Sequence, residues 1–254
     1  MSTSEQSSGI HLLIADDPHQ ASARVADIIA EQVSAKPNSV LGLATGGTPV
    51  ETYRLLAEKN RRGEVDFASV TTFNLDEYVG LAGDHPQSYR LFMDTQLFDH
   101  INVDRLRTHV PDGLAEHVEK HCRRYETMIR DAGGIDLQLL GLGHNGHIAF
   151  NEPGSPRESR TRQVDLTAET IEKNARFFDS IEQVPRHAIT MGVATILEAR
   201  RIVLLATGAG KADAVASMLK GPVNESFPAS LLREHGDVTV VVDRAAAAAL
   251  PSQT

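Results

Sequence analysis

The chain has 254 residues, of which 41% are hydrophobic and 23% are charged. This length and composition suffice for one large α/β domain and differ from those of disordered chains. The net charge of −9 argues against a nucleic-acid-binding protein, because phosphate backbones require a basic surface, although a small anion can still bind locally.

The N-terminal segment 1–9 is polar and lacks the apolar stretch of a secretory signal. No apolar run approaches the roughly 20 residues that a membrane-spanning helix needs. Cys122 is the single cysteine, which excludes a disulfide framework or a thiolate metal cluster. We therefore expect a polar tail followed by one domain over 10–254, in a cytoplasmic protein.

Short apolar runs along the chain predict strands, and several are apolar at consecutive positions, as buried parallel strands are. These runs are 10–15, 39–44, 69–75, 135–142, 201–207 and 237–243. Amphipathic segments between them predict helices over 18–35, 49–60, 86–100, 114–132, 185–199 and 210–219. The alternation predicts a doubly wound, mostly parallel, Rossmann-like α/β sheet with helices on both faces. The least regular segment, 153–184, is expected to form a lid.

Ligands of such sheets bind beyond the carboxyl ends of the strands, so the residues that follow each strand are candidates for a site. The second strand is followed by Thr45, Gly46, Gly47 and Thr48. Two glycines permit a tight turn, and Thr48 with Pro49 is typical of a capped helix start. The backbone N–H groups of this turn could bind an anion, although a turn with a purely structural role has the same pattern.

The third strand ends in "FNLDEYVGL", which places Asp76 and Glu77 directly after an apolar run. A carboxylate at this edge of the sheet could take a proton from carbon, as is needed to move a carbonyl group along a sugar. The alternative is a helix-capping Asp and a solvated Glu. We expect Glu77 to point away from Asp76.

The fourth strand runs into "GLGHNGHIAFNEPG" over 141–154, for which three interpretations compete. The spacing matches G-x-G-x-x-G, but Pro153 follows Gly146 too soon for the long helix of a dinucleotide-binding turn. A metal could use His144, His147 and Glu152, yet no third histidine is near. Proton transfer is the third interpretation, since His147 can titrate near neutral pH and Glu152 can orient it.

The fifth predicted strand ends in "TGAGKADAV", a second glycine turn that leads into a helix. Lys211 lies at the helix start, where a cation opposes the helix dipole unless it faces an anion. This position favours a phosphate site, although a solvated lysine is equally compatible. Ala212 follows the lysine, so the turn is not a Walker A loop.

Together these motifs resemble the glucosamine-6-phosphate deaminase (glucosamine-6-phosphate isomerase) family over residues from about 10 to 243. The motifs are "LGLATGGTPVETY", "FNLDEYVGL", "HPQSYR", "GLGHNGHIAFNEPGS", "SRTR", "NARFFD" and "VLLATGAGKA". The resemblance implies conversion of glucosamine 6-phosphate and water to fructose 6-phosphate and ammonia. It implies no cofactor, no metal, and a sugar phosphate as the small-molecule partner.

The resemblance also implies roles for individual residues. Thr45, Gly46, Gly47 and Thr48 would bind the substrate phosphate together with Arg176 and Lys211. Asp76 would move the proton between C2 and C1 through an enolamine.

In the same resemblance, His147 would open the pyranose ring and Glu152 would hold that histidine, while His144 is expected at the rim. Some members carry Asp-Gly-His where this chain has Asn145-Gly146-His147. Asn cannot ionise, which argues against a relay that needs a charge at this position. Asn145 is nevertheless a familiar variant, so we expect activity to survive.

Several alternatives stay open at the level of sequence. A galactosamine 6-phosphate deaminase differs by one epimeric hydroxyl of its substrate. The related 6-phosphogluconolactonases have a motif similar to "GHTASLFP" where this chain has "GHIAFNEP". A sugar-phosphate sensor fused to a DNA-binding domain is not expected, because about nine residues precede the first strand.

Regulation and assembly follow only from the resemblance. By this resemblance, the allosteric site of some members has an Arg-x-Lys pair completed by a C-terminal tyrosine. This chain has Arg162 and Val164 at the positions of the pair and ends without a tyrosine. We expect activation by N-acetylglucosamine 6-phosphate to be absent or weak. A homo-oligomer is compatible with the sequence, since members of the family differ in oligomeric state.

Overall fold

The computed structural model describes residues 9–176 and 178–251, and these form ten strands and seven α-helices. The strands are β1 (Ile10–Ala15), β2 (Val40–Leu43), β3 (Thr71–Asn74), β4 (Asp76–Tyr78), β5 (Thr108–His109), β6 (Leu137–Gly141), β7 (Arg162–Asp165), β8 (His187–Thr190), β9 (Arg201–Ala206) and β10 (Val238–Asp243). The helices are α1 (Pro18–Ala35), α2 (Val50–Arg61), α3 (Tyr89–Gln96), α4 (Val118–Asp131), α5 (Ala168–Ala175), α6 (Val193–Leu197) and α7 (Ala212–Lys220).

Seven strands form the central sheet in the order β1-β10-β9-β6-β2-β3-β5, and every pair in it is parallel. All six residues of β10 and all four of β2 are buried. Because neighbouring residues of a strand face opposite sides, both faces of the sheet are covered. The predicted doubly wound α/β class is confirmed, and each predicted strand lies in this sheet.

The order in which the chain adds strands to the central sheet reverses between β2 and β6. From β2 the chain proceeds outward to β3 and β5, whereas from β6 it proceeds the other way to β9 and β10. The two strands are adjacent and parallel, with Leu41 paired to Leu137 and Gly42 to Gln138. Loops that leave their carboxyl ends therefore diverge and leave a crevice, where ligands bind in sheets of this kind.

A second sheet, with the order β4-β8-β7, is antiparallel and was not predicted. It corrects the helix expected over 185–199, whose first part is β8. Ala188, Ile189 and Thr190 are each fully buried, and β-branched residues buried on both faces favour a strand. The strand ends at Thr190, and the shorter helix α6 follows with Gly192 as its N-cap.

The segment 153–184, expected to be the least regular, contains regular structure. It includes β7, helix α5 and a 3-10 turn over Ile181–Gln183. Half-buried and exposed residues alternate along β7, which is the pattern of a strand with one solvated face. That the segment acts as a lid is still a prediction.

The other predicted helices are confirmed with shifted bounds. The segment predicted over 86–100 divides into α3 and a 3-10 turn over Phe98–His100. Helix α3 starts later than predicted, because Ser88 accepts a hydrogen bond from the Arg90 N–H as its N-cap. None of the helices in the described part of the chain is long and apolar enough to cross a membrane.

Candidate active site

Two adjoining cavities, of about 200 and 270 Å³, lie at the carboxyl edge of the central sheet. Both are lined by Tyr89, His147 and Phe150. The smaller one, here called the loop cavity, is also lined by Ala44, Thr45, Gly46, Gly47, Thr48, Leu75, Asp76, Gly141, Leu142, Gly143 and Ala149. The larger one, here called the outer cavity, is also lined by Tyr78, His144, Asn145, Glu152, Thr167, Glu169 and Thr170. The structure thus brings together the residues predicted after β2, β3 and β6.

The glycine turn over 45–48 joins β2 to α2 and forms one wall of the loop cavity. Gly46 has φ of +97°, and no atom lies within 4 Å of a Cβ built on Gly46 or Gly47. The Tyr53 hydroxyl donates to the carbonyl of Ala44 at 2.5 Å and anchors the start of the turn. Open space beside exposed backbone at a helix start suits an anion.

One detail of this turn differs from the prediction. Helix α2 begins at Val50, Pro49 is its N-cap, and the cap position forms no side-chain hydrogen bond. Thr48 is therefore not the capping residue, and its side chain lines the loop cavity instead.

Asp76, the first residue of β4, lines the loop cavity and is 6% exposed. Its carboxylate has no hydrogen-bond partner within the described part of the chain. Burial raises the pKa of Asp76, and the charge of neighbouring Glu77 adds a smaller effect, so that the pKa reaches about 8. A largely buried carboxylate that accepts no hydrogen bond from the described residues is a strong base for its residue type.

Glu77 points away from Asp76, as expected, but it is not solvated. Its exposure is 1%, and its carboxylate accepts hydrogen bonds from the N–H groups of Tyr78, Tyr89 and Arg90 and from the Ser88 hydroxyl, all at 2.8–3.0 Å. Burial raises the pKa of Glu77, and these hydrogen bonds oppose that rise. Glu77 thus caps helix α3, so it is unsuitable as a neutral control for Asp76.

The loop after β6 turns back on itself and holds His147 against its own backbone. The Gly143 N–H donates to the carbonyl of His147 at 2.9 Å. A Cβ built on Gly143 would lie 2.4 Å from the imidazole Cγ, a distance that real structures do not show. Gly143 is therefore needed for close approach of the imidazole, and not for a dinucleotide.

Glu152 is held between Asn145 and His147. The Asn145 Nδ2 donates to Oε2 of Glu152 at 2.7 Å, while Oε1 lies 3.4 Å from Nδ1 of His147. The longer distance is an ion-pair contact that exceeds the usual hydrogen-bond length. The pKa of Glu152 is held below its usual value, mainly by the contact with His147 and also by the hydrogen bond from Asn145.

His144 lies at the rim, as predicted, with about half of its side chain exposed. Its Nε2 is 3.5 Å from Oε1 of Glu169 on helix α5. The ring of His144 meets that of His147 at 81°, with centroids 6.3 Å apart. Within 9–176 and 178–251, no group of three His, Cys, Asp or Glu residues could hold a metal ion. A metal-independent reaction stays a prediction.

The two predicted cations differ in their placement. The Lys211 ammonium donates to the carbonyl of Leu142 at 2.7 Å, and Leu142 lines the loop cavity. Lys211 is itself not among the residues that line either cavity, but its ammonium contacts one that lines the loop cavity. Arg176 follows helix α5, is exposed, and is not among the residues that line the two cavities.

Tyr89 and Ala149 are two of the lining residues that were not singled out from the sequence. Tyr89 lines both cavities, and its hydroxyl donates to that of Tyr78 at 3.1 Å. The motif "HPQSYR" was a signal for it, because a serine cap places the next residue at a helix start. Ala149, with φ of +52°, had no signal, since alanine rarely adopts this backbone conformation.

The contact between Gly143 and His147 predicts the effect of one methyl group. Gly143→Ala should displace the imidazole and lower kcat/KM by about 10-fold or more, with a smaller effect on stability. Steady-state kinetics and thermal unfolding measure the two effects. Gly236→Ala is the matched control, because its added Cβ meets nothing within 4 Å and Gly236 lines neither cavity. Equal kinetics for the two variants would contradict the assignment.

The raised pKa of Asp76 predicts a pH-dependent change in stability. The folded state binds a proton that the unfolded chain releases near pH 4, so stability from this group is lost as pH rises toward about 8. Asp76→Asn removes that loss. Its free energy of unfolding relative to the wild type should therefore rise by about 1–3 kcal/mol between pH 5 and 8. Urea denaturation at several pH values measures this difference, and a pH-independent difference would contradict it.

Comparison with known proteins agrees with this geometry. A model of the family described as glucosamine-6-phosphate isomerases/6-phosphogluconolactonase matches residues 16–241. A protein of Rhodopirellula baltica named glucosamine-6-phosphate deaminase is 59% identical over 241 residues, covering 95% of this chain and 96% of that protein. One of the same name from Clostridium perfringens is 53% identical, covering 94% of this chain and 98% of its own.

Solved structures give the same result. A monomeric glucosamine-6-phosphate deaminase superposes with a TM-score of 0.90 at 47% identity, covering 94% of this chain and 99% of that chain. A 6-phosphogluconolactonase from Trypanosoma cruzi superposes with a TM-score of 0.78 at 22% identity, covering 96% and 98%, which shows the shared fold. The resemblance seen in the sequence is confirmed: the chain belongs to the glucosamine-6-phosphate isomerase/6-phosphogluconolactonase family and groups there with the glucosamine-6-phosphate deaminases.

Proposed function

We propose that this protein converts glucosamine 6-phosphate and water to fructose 6-phosphate and ammonia. The observation that carries the proposal is the buried Asp76 carboxylate, which shares the loop cavity with His147 and the glycine turn. This arrangement supports the proposal, because the reaction needs a base, a second proton-transfer group and an anion site around one small space. The 59% identity to a protein named as such a deaminase supports the same reaction.

The first chemical step is ring opening, assigned to His147. The imidazole takes the proton of the C1 hydroxyl and returns a proton to the ring oxygen, which yields the open-chain aldehyde. Glu152, at 3.4 Å from Nδ1, stabilises the imidazolium that forms in between. Asn145 keeps Glu152 in place through its amide and contributes no charge.

The second step is proton transfer from C2 to C1, assigned to Asp76. Its carboxylate removes the C2 proton to give an enolamine and then returns a proton to C1. Water adds to the resulting C2 iminium, and ammonia leaves as the C2 ketone forms. The hydrolytic part of the reaction is this addition of water at C2.

The pKa of about 8 means that much of Asp76 is protonated at neutral pH before substrate binds. The substrate carries an ammonium group at C2, next to the proton that Asp76 must remove. A positive charge this close favours the ionised carboxylate and lowers its pKa. Substrate binding would therefore generate the active form of the base.

The substrate phosphate is assigned to the turn over 45–48, to Lys211 and to Arg176. The turn offers backbone N–H groups, and Lys211 offers an ammonium at the carbonyl of Leu142, which lines the same cavity as the turn. Arg176 enters through the resemblance alone, because it is not among the lining residues of either cavity. Since its substrate and product are sugar phosphates, the proposed reaction belongs in the cytoplasm.

The proposal is tested by measuring ammonia release from glucosamine 6-phosphate by the purified protein. Galactosamine 6-phosphate and 6-phosphogluconolactone are the comparison substrates. Faster release of ammonia from the galactosamine epimer would change the substrate assignment. Lactone hydrolysis without ammonia release from either amino sugar would overturn the proposed reaction.

Removing the Asp76 carboxylate should abolish most of the carbon chemistry. Asp76→Asn keeps the shape and should slow deamination by about 10²–10⁴-fold, the usual range for a general base. Substrate affinity should change little, because the phosphate binds elsewhere. Deuterium incorporation from D2O at C1 and C2 reports the proton transfer directly.

The control for that measurement is Asp66→Asn. Asp66 is exposed and precedes β3 at the opposite edge of the sheet, where it accepts a hydrogen bond from the Ala68 N–H. We expect wild-type exchange in this variant. If Asp76→Asn also exchanged deuterium at the wild-type rate, another group would be the base.

Loss of either predicted phosphate cation should act mainly on KM. Lys211→Ala and Arg176→Ala should each raise KM by up to roughly a hundredfold, because each removes a charged hydrogen bond to a desolvated phosphate. Unphosphorylated glucosamine should be a poor substrate for the same reason. A normal KM in both variants would show that the phosphate binds elsewhere.

A further inference from the structure

A buried carboxylate that the reaction does not use lies at the end of β10. Asp243 is 2% exposed. Strands β9 and β10 pair as far as Ala206 and Val242, so their ladder ends one residue before Asp243. The Asp243 Oδ1 then accepts hydrogen bonds from the N–H of Gly208 at 3.0 Å and from that of Ala246 at 2.8 Å. This side chain therefore extends the connection between the two strands beyond the ladder.

Gly208 is the point at which the chain turns toward the site. Its φ of +88° and ψ of 154° lie in a region that is essentially restricted to glycine. A 3-10 turn over Ala209–Lys211 follows at once, closed by the hydrogen bond from the Lys211 N–H to the Gly208 carbonyl at 3.0 Å. The conformation of Gly208 thus sets the direction in which Lys211 leaves the strand.

Lys211 completes the connection to the cavity. Its ammonium lies 2.7 Å from the carbonyl oxygen of Leu142, a residue that lines the loop cavity with the glycine turn. Asp243 is therefore linked to the predicted phosphate cation by one hydrogen bond and three residues of backbone.

We propose that Asp243 is a positioning residue for the substrate phosphate and acts through Gly208 and Lys211. This inference rests on the proposed function, since it requires phosphate to bind beside Lys211. A hydrogen bond to a carboxylate is stronger than one between neutral groups, so Asp243 holds the Gly208 N–H in one orientation. Lysine has a long flexible side chain, and a fixed backbone limits the positions that its ammonium can reach.

The test compares two substitutions at Asp243 in steady-state kinetics with glucosamine 6-phosphate. Asp243→Ala removes the oxygen that accepts both hydrogen bonds and should raise KM by roughly 5- to 30-fold while kcat stays within about twofold. Asp243→Asn keeps an acceptor oxygen and should restore KM to within about threefold of the wild type. A KM for Asp243→Ala equal to that of the wild type would overturn the proposal.

The matched control is Asp16→Ala. Asp16 directly follows β1, the other neighbour of β10, and its carboxylate contacts Arg244 at 2.6 Å. It forms no hydrogen bond with Gly208 in the described structure. Wild-type KM is expected. A rise in KM equal to that of Asp243→Ala would mean that any change at this end of the sheet disturbs the phosphate site, which would overturn the proposal.

A double variant separates positioning from general stability. If Asp243 acts through Lys211, Asp243→Ala should have little further effect on KM in a Lys211→Met background, within about twofold. Independent contributions would multiply instead, and that result would overturn the proposal. A lowered Tm with unchanged KM would likewise assign Asp243 a structural role through Ala246.

Gly208→Ala tests the same link if Asp243→Ala does not fold. A Cβ on Gly208 meets no atom within 4 Å, so this change acts through the backbone conformation alone. It should also raise KM with kcat retained, and an unchanged KM would contradict the proposal. If the wild type releases no ammonia, the proposed function fails. The link is then measured as the affinity for inorganic phosphate by calorimetry, which Asp243→Ala should weaken by the same factor.

Discussion

The parallel pairing of β2 with β6 is the constraint on which the site depends. These strands leave the sheet side by side, and the chain then diverges in opposite directions. The crevice between them receives the glycine turn from one side and the His147 loop from the other. Both loops are needed for the cavity and its chemistry, because one contributes backbone N–H groups and the other contributes titratable side chains.

Strand alternation separates two consecutive acids at this edge. Asp76 and Glu77 are both buried, yet they face opposite sides of β4, as neighbouring strand residues do. Asp76 has no hydrogen-bond partner among the described residues and lines the loop cavity, whereas Glu77 accepts four hydrogen bonds at the start of α3. The cost of burial is offset for Glu77 and is not offset for Asp76. The difference gives one carboxylate a structural role at the start of α3 and leaves the other open to the proposed role of base.

The sequence predicts the central sheet well because its strands are buried on both faces and read as continuous apolar runs. It predicts the second sheet poorly, since β4 has three residues and β7 has four. Such short strands depend on pairing with β8, and their patterns are too short to indicate a period. The segment 185–199 has helix-forming residues in its second half, which hides the strand in its first half.

Residues that line the candidate site were predictable where a strand end or a glycine marked them, as for Asp76, His147 and the turn over 45–48. The role of Glu77 was not, because three of its four hydrogen-bond donors belong to residues 88–90, which only folding brings next to it. Asp243 lacked a signal for the same reason. Its partner Gly208 lies 35 residues away in the chain, and a strand-end aspartate has many possible uses.

Asn145 gives the site a property that concerns its tolerance to acid. Its amide donates to Glu152 through Nδ2 and accepts the His147 N–H through Oδ1 at 3.2 Å. An aspartate in this place could accept the same N–H, but it could donate to Glu152 only while it held a proton of its own. Two carboxylates would then share one proton, and the geometry of the loop would change with its release. The amide has a donor and an acceptor at every pH, so the support of Glu152 does not titrate.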